Sequence, residues 1–140
     1  MGLHNKVMVV DDQVLIRTML LEVLNSNGFT AVAASNGQDA LNLARLEMPD
    51  IALLDFNIPK IDGLTLFKKL KMIKPGIKAV FMTGSPNVNI AKSALEQGAQ
   101  DVIVKPFDIF VMVKMLKEIS SITTRGEEEW KIINKKDGII

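Results

Sequence analysis

The sequence predicts an α/β fold, a doubly wound five-stranded parallel sheet with five helices, and three observations support this prediction. Short apolar runs of strand length alternate with longer segments in which apolar residues recur at helical spacing. The connections between them are short and rich in Gly, Pro, Asn and Asp. At 140 residues, 48% of them hydrophobic, the chain suffices for one domain with its own core. Alternating strands and helices form a parallel sheet with helices on both faces.

Each predicted strand is an apolar run that ends at or next to a polar residue. The clearest begins after Pro49 and Asp50 and stops at Asp55. A continuous apolar run of this length is typical of a strand that is buried on both faces. We expect strands at Lys6–Val10, Thr30–Ala34, Ile51–Leu54, Ile77–Met82 and Asp101–Val104. The carboxyl ends of these strands share one edge of the sheet, the carboxyl edge, where open α/β sheets bind ligands.

The predicted helices begin near capping residues and end at turn formers. Ser35–Asn36 and Asp108 are typical N-caps, while Asn27–Gly28 and Pro75–Gly76 are typical stops. We expect helices at Gln13–Asn27, Gly37–Glu47, Leu64–Ile73, Asn87–Gln97 and from Asp108 to about Ser120.

The first predicted helix carries more apolar surface than one core contact requires. Its main apolar stripe consists of Ile16, Leu20, Val23 and Leu24. Val14 and Leu21 lie outside this stripe. A thick core contact explains most of this surface, and the alternative is that part of it docks a partner.

Composition excludes several classes of function. The chain has no Cys and one His, which excludes disulfides and thiolate-bound metal and argues against a multi-histidine site. A net charge of +1 without a basic block gives no sign of a surface that binds nucleic acid. No apolar run approaches the roughly 18 residues of a membrane span, and the polar N-terminus does not resemble a signal peptide. We therefore expect a cytoplasmic protein that does not bind membranes or nucleic acid.

The carboxyl edge of the predicted sheet collects residues that suit phosphoryl transfer. Asp11, Asp12, Asp55, Thr83 and Lys105 each directly follow a predicted strand. Three converging carboxylates need a cation, and oxygen ligands of this kind suit Mg2+. A carboxylate nucleophile beside a metal ion and a lysine is a site for phosphoryl transfer. Each residue alone has an ordinary explanation, since the acids are also good helix caps and Thr83 a turn residue.

Several motifs together resemble the receiver domains of two-component response regulators, over most of residues 5 to 120. They are Val9-Val10-Asp11-Asp12, Leu53-Leu54-Asp55 with Pro59 and Asp62-Gly63, Met82-Thr83-Gly84, and Val104-Lys105-Pro106-Phe107. The resemblance implies a flavodoxin-like receiver fold with the strand order 2-1-3-4-5. It also implies a domain over residues 1–120, followed by a tail over 121–140 that is too short for an output domain.

The resemblance further implies a role for each residue at the carboxyl edge. Asp55 would accept a phosphoryl group from a histidine on a sensor kinase or histidine phosphotransferase. Mg2+ would be held by Asp12, Asp55 and the backbone carbonyl of Asn57, with Asp11 reaching it through water. Lys105 would hold the phosphoryl group and Thr83 would act as the switch. These receivers catalyse their own phosphorylation and are not metabolic enzymes. Pro106 would follow a cis peptide bond.

Within the family, several short segments resemble the single-domain regulators of the sporulation phosphorelay. The shared segments are Asp11-Asp12-Gln13, Ile16-Arg17, Asn36-Gly37 and Lys105-Pro106-Phe107-Asp108-Ile109. Such proteins relay phosphoryl groups through a surface that would comprise Gln13, Val14, Ile16, Met19, Pro106 and Phe107 here. One position departs from receivers that switch through an aromatic residue three positions before the lysine, because Val102 stands there. The departure favours a phosphoryl carrier.

Four alternatives remain open from the sequence. A chemotaxis-type regulator would bind a target protein when phosphorylated, and Val102 argues against it. An aspartate-nucleophile phosphohydrolase would need a second Asp two residues after Asp11, where Gln13 stands. A flavodoxin-like nucleotide binder would need a Gly-rich loop after the first strand. A receiver-shaped module that is never phosphorylated is disfavoured because all the active-site residue types are present.

Overall fold

The computed structural model of the chain describes residues 5–85 and 87–120, and it confirms the predicted α/β architecture. The strands are β1 Lys6–Val10, β2 Thr30–Ala34, β3 Ile51–Asp55, β4 Lys78–Thr83 and β5 Asp101–Val104. The helices are α1 Val14–Ser26, α2 Gly37–Glu47, α3 Gly63–Ile73, α4 Val88–Glu96 and α5 Ile109–Ser120. The predicted tail, residues 121–140, lies outside the described residues.

All neighbouring strands are parallel and follow the order β2-β1-β3-β4-β5, as the resemblance implied. Two strands extend one residue further than predicted. Asp55 still pairs with Met82, and Thr83 still pairs with Val104, so both polar residues are the last members of their strands. Gln13 and Asn27, predicted to be helical, are the N-cap and C-cap of α1.

The two faces of the sheet carry separate cores. On one face, α1 and α5 bury residues such as Leu20, Leu24 and Leu116. On the other face, α2, α3 and α4 bury residues such as Leu66, Phe67 and Ala94. Every residue of β3 is buried, which confirms the prediction of a strand covered on both sides. The central strand therefore holds Asp55 on a rigid support. Among the described residues, no helix is both long enough and apolar enough to cross a bilayer.

Phe81 of β4 anchors the core beneath the carboxyl edge. It has no exposed surface, and its ring lies 5.4 Å from the ring of Phe56 and 5.9 Å from that of Phe67, measured between centroids. Replacing a buried Phe with Ala typically costs about 3–5 kcal/mol of unfolding free energy. We expect Phe81→Ala to lose that much in a urea titration. Phe110→Ala, at a side chain that is 85% exposed, should change stability by less than about 0.5 kcal/mol. Equal losses in the two variants would contradict this assignment of the core.

Candidate functional site

The structure brings Asp11, Asp55 and Lys105 into direct contact at the carboxyl edge. The Lys105 ammonium donates to Oδ2 of Asp11 at 2.6 Å and to Oδ2 of Asp55 at 3.2 Å. Asp11 follows β1, Asp55 ends β3 and Lys105 follows β5. Strands β1 and β3 are neighbours, whereas β4 lies between β3 and β5. The lysine side chain therefore reaches across the end of β4, and its one ammonium group is shared between two carboxylates.

The second oxygen of each buried carboxylate accepts a backbone hydrogen bond from two residues further along. The amide of Gln13 donates to Oδ1 of Asp11 at 2.9 Å, and the amide of Asn57 donates to Oδ1 of Asp55 at 3.0 Å. The ordinary alternative, that these acids are helix N-caps, is wrong for both. Gln13 is the N-cap of α1, and Asp62 is the N-cap of α3.

Burial and the shared lysine set the electrostatics of the site. Burial raises the pKa of Asp55, although the Asn57 amide and the Lys105 ammonium partly oppose this. For Lys105, burial disfavours the charge, but the hydrogen bond to Asp11 and the charges of Asp11 and Asp55 outweigh it and raise its pKa. Lys105 is therefore a cation at neutral pH. Its single charge is shared by two of the three acids of the edge.

The three acids of the carboxyl edge form a set of oxygen ligands that fits a divalent ion. One carboxylate oxygen from each of Asp11, Asp12 and Asp55 lies within 4.8 Å of the others. Asp11 and Asp55 are buried, whereas Asp12 is exposed. Carboxylates without His or Cys suit a hard cation such as Mg2+, which retains several of its waters. Asp12 leaves the cluster open to solvent on one side.

Comparison with known proteins decides the family. The family model for the response regulator receiver domain matches residues 7–117. Sporulation initiation phosphotransferase F of Bacillus subtilis is 38% identical over 107 residues, which cover 76% of this chain and 86% of that protein. The chain belongs to the response regulator receiver domain family. Receiver domains act in phosphorylation-dependent signalling by two-component systems.

Solved structures share the fold of this receiver domain. A CheY-like receiver domain protein from Methanospirillum hungatei superimposes with a TM-score of 0.81 at 25% identity, covering 89% of this chain and 98% of that one. A CheX–CheY–BeF3–Mg2+ complex from Borrelia burgdorferi contains a chain that gives a TM-score of 0.76 at 25% identity, covering 82% of this chain and 88% of that one. The receiver fold predicted from the sequence is thus confirmed.

Thr83 also lies at the edge, as the sequence predicted. Thr83 is 2% exposed at the end of β4, and its hydroxyl exchanges hydrogen bonds with the backbone of Ser85, donating to the carbonyl at 3.2 Å and accepting from the amide at 3.1 Å. A movement of this hydroxyl towards Asp55 therefore requires those contacts to break. The peptide bond between Lys105 and Pro106 is cis, as the resemblance implied.

The predicted docking residues lie on α1, including its N-cap, and between β5 and α5. Ile16, Met19 and Phe107 are partly buried against the same core cluster. The other three, Gln13, Val14 and Pro106, are exposed. Leu15, which is 83% exposed, was not among the predicted residues, although it is the most exposed apolar side chain of α1. The structure thus places the six predicted residues on neighbouring elements.

Sequence reasoning assigned no role to two residues, Arg17 and Asp62, that shape the loops of the edge. The Arg17 guanidinium donates to the backbone carbonyl of Asp11 at 2.8 Å. Asp62 caps α3 by accepting from the amide of Thr65 at 2.8 Å and from its hydroxyl at 3.0 Å. The backbone hydrogen bond from Thr65 lowers the pKa of Asp62. An Asp directly before an apolar helix is a recognisable capping signal, whereas nothing local identifies the Arg17 contact.

Proposed function

We propose that this receiver domain accepts a phosphoryl group on Asp55 from a phosphohistidine donor and passes it to another histidine. The observation that carries the proposal is the contact of one lysine with two buried carboxylates, Asp11 and Asp55. Of these two, Asp11 has no exposed surface, whereas Asp55 retains 7%. Asp55 is therefore the better placed nucleophile, and Asp11 the better placed structural anion.

The transfer forms one bond and breaks another. An oxygen of the Asp55 carboxylate forms the new O–P bond while the P–N bond to the donor imidazole breaks. The bonding electrons leave with the imidazole nitrogen, which takes a proton from solvent. The ammonium of Lys105 lies within hydrogen-bond distance of Asp55 and can stabilise the charge on the phosphoryl oxygens. The buried strand β3 keeps the nucleophile fixed while the group moves.

We propose Mg2+ as the cofactor, held by Asp12, Asp55 and the backbone carbonyl of Asn57, with Asp11 contributing through water. A bound Mg2+ would neutralise negative charge on the transferring phosphoryl group. The fit rests on the three carboxylate oxygens that lie close together without His or Cys. The related structure from Borrelia burgdorferi contains Mg2+ together with BeF3.

Removal of Mg2+ should stop the reaction. With acetyl phosphate as donor, we expect chelation of divalent ions to slow phosphorylation at least about 100-fold, because a metal ion supplies several kcal/mol of charge stabilisation. Added Mg2+ should restore the rate, whereas Na+ at equal ionic strength should not. Phosphorylation at the full rate in the presence of chelator would contradict the assignment of the cofactor.

The rival functions fit the geometry less well. A phosphohydrolase nucleophile at Asp11 would have to act from a carboxylate with no exposed surface that is already paired with Lys105. A nucleotide binder would need a Gly-rich loop after β1, where Asp11-Asp12-Gln13 stands instead. A chemotaxis-type regulator remains the alternative within the family. Val102 is partly buried against the core and offers no aromatic ring that could turn in and out.

A phosphotransfer assay separates the carrier from the target-binding regulator. A radiolabelled phosphohistidine domain is mixed with the chain, and a second, unlabelled histidine phosphotransferase is then added. We expect the label to move onto the chain and then onto the second protein faster than it is lost to water. Variants such as Val14→Glu on the docking surface should slow both transfers but not phosphorylation by acetyl phosphate. Label that leaves the chain only as inorganic phosphate would refute the carrier function.

A further inference from the structure

A glycine outside the carboxylate cluster lies against the loop that carries Asn57. Gly37 is the first residue of α2 and is buried. A Cβ built on Gly37 would overlap Cγ2 of Ile61, and it would lie 4.0 Å from Cδ1 of Ile58. Its backbone is not in the left-handed region, so space, rather than conformation, requires glycine here. The tip of the loop after β3 therefore rests directly on the backbone of α2.

The loop after β3 is short and tied at its base. Asn57 and Asp62 pair as an isolated antiparallel bridge, and the amide of Gly63 donates to the carbonyl of Phe56 at 3.1 Å. The backbone amide of Asn57 also donates a hydrogen bond to Oδ1 of Asp55. Lys60, near the tip, has φ +71, in the left-handed region, which makes the backbone there a defined turn. A displacement of Ile61 would therefore also displace the bridge that includes Asn57.

The start of α2 is held in place by its cap and by the core. The side chain of Asn36 caps the helix by accepting from the amide of Asp39 at 2.8 Å. Behind it, Ala40 and Ala44 are buried in the core. We therefore expect extra volume at Gly37 to displace Ile61 and its loop. The same region opens into a cleft of about 780 Å3, whose lining includes Gly37, Ile61 and Asp12.

We propose that Gly37 is a positioning residue for the phosphorylation site. By admitting Ile61 against the helix backbone, it sets the position of the Asn57 peptide, whose amide holds Asp55. The inference rests on the proposed function insofar as the Asn57 carbonyl is a ligand of Mg2+. Gly37 itself does not touch the metal ion, the donor or the reacting atoms.

The test uses Gly37→Ala in the full chain, with Gly76→Ala as the matched control. A Cβ at Gly76 would meet no heavy atom within 4 Å beyond its chain neighbours, and the backbone there is not left-handed, so this variant reports the effect of losing a glycine without a clash. Calorimetric titration gives the Kd of Mg2+, and the amide resonance of Asn57 in the metal-free protein reports its position. We expect Gly37→Ala to raise the Kd about 10-fold, as the loss of groups that orient metal ligands typically does. It should also shift the Asn57 resonance, and Gly76→Ala should do neither.

A second substitution supplies the rescue that a general loss of stability would not show. In Gly37→Ala/Ile61→Ala the new Cβ would lie 3.6 Å from the Cβ of residue 61, an ordinary contact. The double variant should bind Mg2+ within about 2-fold of Ile61→Ala alone, because the two positions are coupled. An unchanged Mg2+ Kd in Gly37→Ala would overturn the proposal. A double variant that still binds Mg2+ much more weakly than Ile61→Ala alone would also overturn it. If the wild type binds Mg2+ but takes no phosphoryl group, the proposed function fails while the Kd and the resonance still decide the role of Gly37.

Discussion

Asp55→Asn is expected to lower the rate of phosphorylation by acetyl phosphate at least about 1000-fold, because it removes the nucleophile. The amide oxygen of Asn can still accept from the Asn57 amide, which now donates to Oδ1 at 3.0 Å. Lys105 also keeps its shorter contact with Asp11. The variant should therefore remain folded, and circular dichroism provides that check. The rate is measured by intact-mass spectrometry at saturating Mg2+.

Asp12→Asn is the control that separates the nucleophile from a metal ligand. Asp12 is exposed and belongs to the same carboxylate cluster, whereas the described contacts of the Lys105 ammonium go to Asp11 and Asp55. This variant should need more Mg2+ for half-maximal phosphorylation and should still accept the phosphoryl group on Asp55. If Asp12→Asn abolished phosphorylation at every Mg2+ concentration while Asp55→Asn did not, the assignment of the two roles would be wrong.

Lys105→Met is expected to slow phosphorylation about 100-fold and to destabilise the metal-free protein. The substitution keeps most of the aliphatic stem but removes the ammonium that stabilises the transferring group, and a single lost donor of this kind typically costs about 100-fold or more. It also leaves the fully buried carboxylate of Asp11 without its ion pair. Removing one partner of a buried pair costs about 3 kcal/mol. Urea titration and the acetyl phosphate assay measure the two effects.

Mg2+ should distinguish this effect from ordinary destabilisation. Without the ammonium, the carboxylates attract Mg2+ more strongly, so the ion should stabilise Lys105→Met more than it stabilises the wild type. Lys68→Met, at an exposed lysine of α3, should change neither the rate nor the response to Mg2+. A Lys105→Met protein with wild-type stability and a wild-type rate would show that the contacts with Asp11 and Asp55 have no functional role.

The fold was predictable from the alternation of strands and helices. The residues that meet at the carboxyl edge were predictable because, in a parallel sheet, the residues at the carboxyl ends of the strands share one edge. Asp11, Asp55, Thr83 and Lys105 all lie at the predicted edge, since an apolar run that stops at a polar residue marks where a buried strand leaves the core. The limits of the strands differed by one residue at Asp55, at Thr83 and at Ile77, which precedes β4. Their hydrogen-bond ladders continue to a polar residue when its backbone still has a partner, which composition does not reveal.

Contacts between distant segments could not be predicted in the same way. The overlap that a side chain at Gly37 would create with Ile61 depends on how closely α2 approaches the loop after β3. Neither segment carries a local signal for that distance. The contact of Arg17 with the Asp11 carbonyl likewise depends on the path of the loop after β1. The exposed Leu15 shows a related limit, because an apolar stripe does not identify which of its edges the core leaves uncovered.

The most direct measurement maps the phosphoryl group to a residue. The chain is phosphorylated with acetyl phosphate and Mg2+, reduced with borohydride, digested and sequenced by tandem mass spectrometry. Borohydride converts an aspartyl phosphate to homoserine, so we expect homoserine at position 55 and nowhere else, together with loss of the adduct in hydroxylamine. Homoserine at position 11 or 12, or an adduct that resists hydroxylamine, would contradict Asp55 as the phosphoryl acceptor.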